Sequence, residues 1–449
     1  MPDIIRLQWQ RLRGSLWFLP TGMAAMAAAL AFILVGIDRS APTEWLLKQA
    51  WVYSGGADGA SAVLQTIAGS MITIAGVVFS LTLVALTLAS SQFGPRLLRN
   101  FMRDTTNQVV LGTFVSTFLY CLLVLRTIRH DTEALFVPHL SVTFGLVFAL
   151  ASLWVLIYFI HHVSTSIQAD SVIARVAHDL TDAINAQFPL VRSITDTAAS
   201  DQRVDATWLR EKSDGSLPLA ASRAGYLQWI DLDRLTALAE SRDLVLQGQR
   251  RVGQYLIEGG AVLLVQPGHR LDDDLTTRLR DCFRLGDQRS DLQDVEFAVH
   301  QLVEVAVRAL SPGINDPFTA ISCVDRLGAA LGRLATRPMP SGVHLGGTRE
   351  VRLVMPVSDF EGVADAAFNQ IRQYARTDVA VTLRLLEVIA QVAAVADRSG
   401  DRDTLRHHAD RILAGAEGAL PDTSDRETVR RRHAVAVRAV HRGEVPTLT

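Results

Sequence analysis

Four stretches of the chain, residues 14–37, 59–95, 105–125 and 134–169, contain no Asp, Glu, Lys or Arg. Each is longer than the roughly 20 apolar residues that carry a helix across a bilayer. This feature limits the N-terminal third to a membrane-embedded bundle. Spans are predicted at about residues 16–37, 62–88, 108–125 and 139–160. The first resembles a secretory signal, because Arg6, Arg11 and Arg13 precede an Ala-rich apolar run, but its length fits a retained helix. No predicted span contains Asp, Glu, Lys or Arg, the usual marks of ion-coupled transport, and the spans show no internal duplication.

Composition agrees, since 49% of the residues are hydrophobic and 20% charged, a balance that disfavours a wholly soluble protein. The 44 basic and 46 acidic residues nearly cancel, which argues against a nucleic-acid partner. Three widely separated Cys, at 121, 282 and 323, are too few for a disulfide framework or a thiolate metal site. Orientation follows from the basic residues beside the spans. Arg6, Arg11 and Arg13, then Arg96, Arg99 and Arg103, place both flanks and both termini in the cytoplasm of a bacterial inner membrane.

The second span carries most of the functional signal. Thr66, Ser70, Thr73, Ser80, Thr87 and Ser91 recur at gaps of four, three, seven, seven and four, which puts their hydroxyls on one helix face. Val77 and Val84 fill the vacant positions. Gly69-x-x-x-Thr73 and Gly76-x-x-x-Ser80 have the spacing that lets membrane helices approach closely. Helix packing explains this stripe. A polar conduit lined by several copies of the helix, with Val77 and Val84 as apolar constrictions, explains it as well. Gly94-Pro95 should then break the helix, and Arg96, Arg99 and Arg103 would rim a cytoplasmic mouth or act as ordinary membrane anchors.

Beyond residue 163 the expected plan is a helical stalk and polar loop (164–222), a small α+β or partly open barrel unit (223–268) and a mainly helical domain (269–449). The fold class is thus an α-helical integral membrane protein with four transmembrane helices and a C-terminal cytoplasmic α+β domain, a small β-rich unit followed by a helical bundle. In the β-rich unit, strands are predicted at 226–230 and 244–247, with Asp231 capping a helix to about Ser241. A hairpin is predicted at 255–266 around Glu258-Gly259-Gly260, and 271–337 reads as helical throughout. A strand follows at 352–356, then helices from about 359, on the first of which Gln370, Arg372 and Gln373 would face a cleft. The basic run 430–432 reads as a solvated face.

The phrase Ser311-Pro312-Gly313-Ile314-Asn315-Asp316-Pro317-Phe318-Thr319 should end one helix and start another, with Asn315 or Asp316 as the cap and Pro317 in the first turn. Alternatively, Arg308, Ser311, Asn315, Asp316 and Thr319 line a small-ligand or subunit-contact site. This phrase, the Gly94-Pro95-Arg96 turn and the four-span plan resemble a bacterial family of predicted membrane proteins catalogued as domain of unknown function twenty-two fifty-four. That resemblance implies the architecture and no activity.

The sequence holds no phosphate-binding loop, no His-Glu-x-x-His, no nucleophile elbow and no Cys/His zinc set. No enzyme, catalytic residue, metal or cofactor is therefore expected. The adjacent pairs His161-His162 and His407-His408 diverge on a helix. Expected partners are the lipid bilayer, further copies of the chain and a small ion or ligand. Two readings follow: a homo-oligomeric channel with a regulatory cytoplasmic domain, or a membrane-anchored sensor or scaffold that binds a ligand or partner without transport.

Overall fold

A computed structural model describes residues 17–40, 51–95, 104–129, 136–166, 168–190, 215–290 and 293–442. The chain divides into two compact units, Met1–Ser171 and Val172–Thr449. The expected mouth residues Arg96, Arg99 and Arg103, and the flanking Arg6, Arg11 and Arg13, lie outside the described residues.

The first unit contains four helices long and apolar enough to cross a membrane: α1 (Phe18–Ser40), α2 (Ala57–Phe93), α3 (Thr105–Leu125) and α4 (His139–Ser166). Half of the apolar window of α3 is buried, more than in any other span, because α3 packs against all three neighbours. Ala31, Leu64, Ala68, Met71, Phe114, Tyr120 and Val142 belong to one buried cluster. Close approach of α1 and α3 depends on Gly112, where a Cβ would fall 2.5 Å from the Met23 sulfur and 3.2 Å from the Pro20 Cα. At 37 residues, α2 is about 55 Å long, well beyond the roughly 30 Å hydrocarbon thickness. It ends where the Gly-Pro pair predicted, with Gly94 at φ 112°.

α1 runs three residues past its apolar stretch and so carries Asp38 and Arg39 inside the helix, while α2 carries Asp58 in its first turn. Charge is excluded from the middle of the spans rather than from the helices themselves.

α5 (Ala169–Gln187), which lies mostly in the second unit, buries Val172, Ile173, Val176, Leu180 and Ile184. Among the described residues eight strands follow: β1 (Leu217–Ala220), β2 (Gly225–Ile230), β3 (Val245–Gly248), β4 (Tyr255–Leu256), β5 (Ala261–Gln266), β6 (Phe283–Gly286), β7 (Val343–Leu345) and β8 (Val351–Val354). Between them lie α6 (Leu232–Ser241), capped by Asp231 as predicted, and α7 (Asp273–Arg280).

The strands form a five-stranded sheet, β1-β5-β3-β8-β7, and a three-stranded sheet, β4-β2-β6. Pairing is antiparallel except between β3 and β8. The predicted 255–266 hairpin does not form, because β4 pairs with β2 while β5 pairs with β1 and β3. Gly259, at φ +78°, reverses the chain, and its N–H bonds to the Ala221 carbonyl instead of closing a two-strand ladder. Nor is the sheet confined to 223–268, since Leu353 and Met355 share the core of Leu246, Leu263 and Val265. β6 interrupts the stretch expected to be wholly helical.

The helices are α8 (Val295–Ala309), α9 (Pro317–Ala335), α10 (Phe360–Tyr374), α11 (Val379–Val395), α12 (Ser399–Ala419) and α13 (Thr423–Arg442). α11 packs against α9, α12 and α13, and buries Val381, Leu385, Leu386, Val388, Ile389 and Val392, the face its apolar spacing predicts. The basic run 430–432 lies on α13, where Arg430 pairs with Glu417 and Arg432 with Glu387.

Candidate functional site: the hydroxyl face of the second span

Along α2 one face packs and the other does not. Ala60, Leu64, Ile67, Ala68, Met71, Ala75 and Val78 are buried inside the unit. Thr66, Ser70, Thr73, Val77, Ser80, Val84, Thr87 and Ser91 are all exposed, with Val77 54% and Val84 52% accessible. All eight candidates thus lie on one face that the other described residues leave uncovered. A Cβ built at Gly69 or Gly76 would meet nothing within 4 Å, so neither glycine serves a helix contact among the described residues.

The hydroxyls are turned back onto their own helix. Thr66, Ser70 and Thr73 donate to the carbonyls four residues earlier at 2.8 Å, Thr87 donates to Val84 at 2.8 Å and Ser91 to Leu88 at 2.9 Å. With the proton committed in this way, each oxygen offers its lone pairs outward. The result is a row of weak acceptors flanked by Ile72, Phe79, Leu81, Leu83 and Leu88, which are also exposed.

Both ends of the unit are tied by polar groups that sequence reasoning missed. Asp38 of α1 accepts from the backbone N–H of Leu140 (3.0 Å) and Ser141 (2.9 Å) and from the Ser141 hydroxyl (2.6 Å). It caps the start of α4 from a different helix and satisfies donors that α4 cannot. Tyr120 donates to the Ser141 carbonyl at 2.9 Å, and His139 Nδ1 to the Tyr53 carbonyl at 2.8 Å. Elsewhere in the unit, Asp104 caps α3 through Thr106 N–H (2.9 Å) and accepts from His162 Nε2 of α4 (2.8 Å). His162 also stacks on Tyr158. An Asp just past an apolar run reads as loop, and its partner lies a hundred residues on, so only the fold reveals the tie.

The 308–319 phrase holds itself together. Asp316 is the cap, its Oδ1 accepting from Thr319 N–H (3.1 Å) and its Oδ2 from the Thr319 hydroxyl (2.6 Å), with Pro317 in the first turn. Asn315 is the left-handed residue, at φ +50°, a conformation that Asn tolerates. Ser311 donates to the Arg308 carbonyl at 2.6 Å, and Arg308 Nε lies 3.6 Å from Glu304. Ser311, Asp316 and Thr319 are thus spent on the turn. Phe318, beside them, is 80% exposed.

A buried titratable group sits among the helices. His408 of α12 packs against Phe368 and is fully buried, and burial pushes its pKa down to about 4. Its neighbour His407 is exposed, as divergence of adjacent residues requires. Because the unfolded chain takes up the proton near pH 6.5, stability is retained above that pH and falls as pH drops from about 6.5 to about 4. The loss approaches about 3 kcal/mol. Denaturant midpoints measured across this window should decline in the parent chain and flatten in His408→Leu; parallel curves would refute the assignment.

Four apolar spans with polar ties at helix ends, followed among the described residues by two small sheets and nine further α-helices, define a multi-span membrane protein with a large C-terminal region of sheets and helices. The chain belongs to the DUF2254 family, described as "Predicted membrane protein", whose model matches residues 13–391. It is 33% identical over 437 residues to the uncharacterized protein Mb1321c of Mycobacterium bovis and to the uncharacterized protein Rv1290c of Mycobacterium tuberculosis H37Rv. Each alignment covers 96% of this chain and 82% of the relative. No solved structure matches the chain.

Proposed function

We propose that the protein is a homo-oligomeric channel of the bacterial cytoplasmic membrane, in which copies of α2 surround a conduit and the C-terminal unit is a cytoplasmic regulatory domain. The observation that carries this reading is the uncovered face of α2, with Thr66, Ser70, Thr73, Ser80, Thr87 and Ser91 in register and neither Gly69 nor Gly76 used in a helix contact among the described residues. Lipid gains nothing from such a row of hydroxyl oxygens. Water or an ion does, because weak acceptors bind without trapping. Val77 and Val84 supply apolar girdles, and the flanking Phe79, Leu81 and Leu83 meet lipid or the neighbouring copy.

Single-channel recording of the purified protein in planar bilayers under asymmetric salt tests this. Discrete currents are expected, and Thr73→Leu and Ser80→Leu should each remove most of the conductance while leaving insertion intact. Normal conductance in both variants would refute the pore face. A silent bilayer from folded, inserted protein would favour the sensor or scaffold instead.

A further inference from the structure

α10 and α12 pack against each other and bring two arginines onto one acceptor. Arg372 Nε donates to Asn369 Oδ1 at 3.3 Å, and Arg411 Nη1 donates to the same oxygen at 3.2 Å. Two guanidinium groups therefore converge on one neutral amide oxygen. Neither makes an ion pair among the described residues, in contrast to the paired Arg384, Arg398, Arg406, Arg430 and Arg432 around them.

Asp365, whose charge acts on Arg372, is itself bonded to Asn369, and Asp410 and Glu417 of α12 pair with other side chains. Asp365 Oδ1 accepts from Asn369 Nδ2 at 2.7 Å and lies 3.3 Å from His408 Nε2. Asp410 is taken by His433 and Arg406, and Glu417 by Arg430. Burial, and then the charge of Arg411, hold the Arg372 guanidinium below its ordinary pKa, while Asp365 acts against them. His408 makes no hydrogen bond through either nitrogen and is buried. The cluster thus keeps an excess of positive charge. It is also open to solvent, since Arg411 is exposed, Arg372 is half-buried, and Gln370 and Gln373, expected from the sequence to face a cleft, are exposed as well.

We propose that Arg372 and Arg411, oriented by Asn369, form a binding site for a phosphate-type oxyanion on the C-terminal unit. A tetrahedral anion offers several charged oxygens where Asn369 offers one neutral oxygen, and guanidinium forks bind such groups in pairs. Asn369 pre-orients both forks, so little side-chain freedom remains to be lost on binding. The site is independent of the pore reading, because it rests on no residue of the membrane spans. Its ligand is either a free phosphate compound or a lipid phosphate.

The full-length protein in neutral detergent should be titrated calorimetrically with inorganic phosphate, pyrophosphate and a short-chain phosphatidic acid, with chloride at matched ionic strength as the control. Saturable binding of one of the phosphates is expected, weakened about tenfold or more by Arg372→Gln and by Arg411→Gln and weakened less by Arg411→Lys. Binding of phosphate or pyrophosphate identifies a soluble ligand; binding of phosphatidic acid alone identifies a lipid headgroup. Either result, with that arginine dependence, supports the site. Arg411 is exposed, so Arg411→Gln tests the site even if Arg372→Gln fails to fold. No saturable binding up to about 10 mM, a concentration that already corresponds to negligible affinity, or equal affinity in Arg411→Gln, overturns the proposal.

Discussion

Replacing Asp38 by Ala should lower the thermal midpoint of the membrane unit by about 10 °C. The carboxylate accepts three hydrogen bonds, from Leu140 N–H, Ser141 N–H and the Ser141 hydroxyl, at 3.0, 2.9 and 2.6 Å. Each charge-assisted bond contributes about 1.5–3 kcal/mol, and the N–H groups of Leu140 and Ser141 at the start of α4 lose their acceptor. Allowing for relaxation, the loss is about 3–5 kcal/mol. Asp38→Asn retains one acceptor oxygen and should fall between the two. A thermal scan in detergent that fails to separate Asp38→Ala from the parent would show that α1 and α4 are held by packing alone.

The second large effect lies at Arg337, which is 5% exposed and makes no ion pair among the described residues. Its Nη1 donates to the carbonyls of Ile184 (3.4 Å) and Phe188 (2.5 Å), and its Nη2 to Asn185 Oδ1 (2.6 Å). The Phe188 carbonyl lies just past the end of α5, where no further helical N–H follows to satisfy it, while the Ile184 carbonyl also accepts from Phe188 N–H at 2.9 Å. Burial, together with the charge of Arg333, holds the guanidinium below its ordinary pKa, so the side chain is retained for its donor geometry rather than for an ion pair. Arg337→Met fills the space but takes the donor from the Phe188 carbonyl, and should cost about 3 kcal/mol and speed proteolysis near residue 187. Arg337→Lys keeps the charge without the fork and should recover only part of this. An unchanged denaturation midpoint in Arg337→Met would mean that the cap is redundant.

What the sequence made legible follows from which signals are local. Uncharged length alone marks the four spans, and the caps at Asp231 and Asp316 are visible because the acceptor lies three residues from its donor. The hydroxyl face of α2 was readable for the same reason, since periodicity along a single helix fixes its face. Longer-range partnerships were not readable. β4 and β5 look like a hairpin because they flank a Gly turn, yet each finds its partner elsewhere, in β2 and in β1 and β3. β6 is four residues long and half-buried, too short to stand out between α7 and α8. Asp38 and the Arg372–Arg411 pair share that cause: residues that only tertiary packing brings together have no common spacing to read.

The parallel ladder between β3 and β8 also orders events in time. A ribosome delivers β3 with α7, β6, α8 and α9 still to come before β8 emerges, so Leu246 and Leu263 wait for Leu353 and Met355 while two long helices are synthesised. Until then β3 has a free edge beside an unfinished apolar face, the condition under which strands pair with the wrong partner. A nascent chain halted before residue 351 therefore holds an open sheet edge. Any split or truncation of this protein has to keep β8 on the same piece as β3.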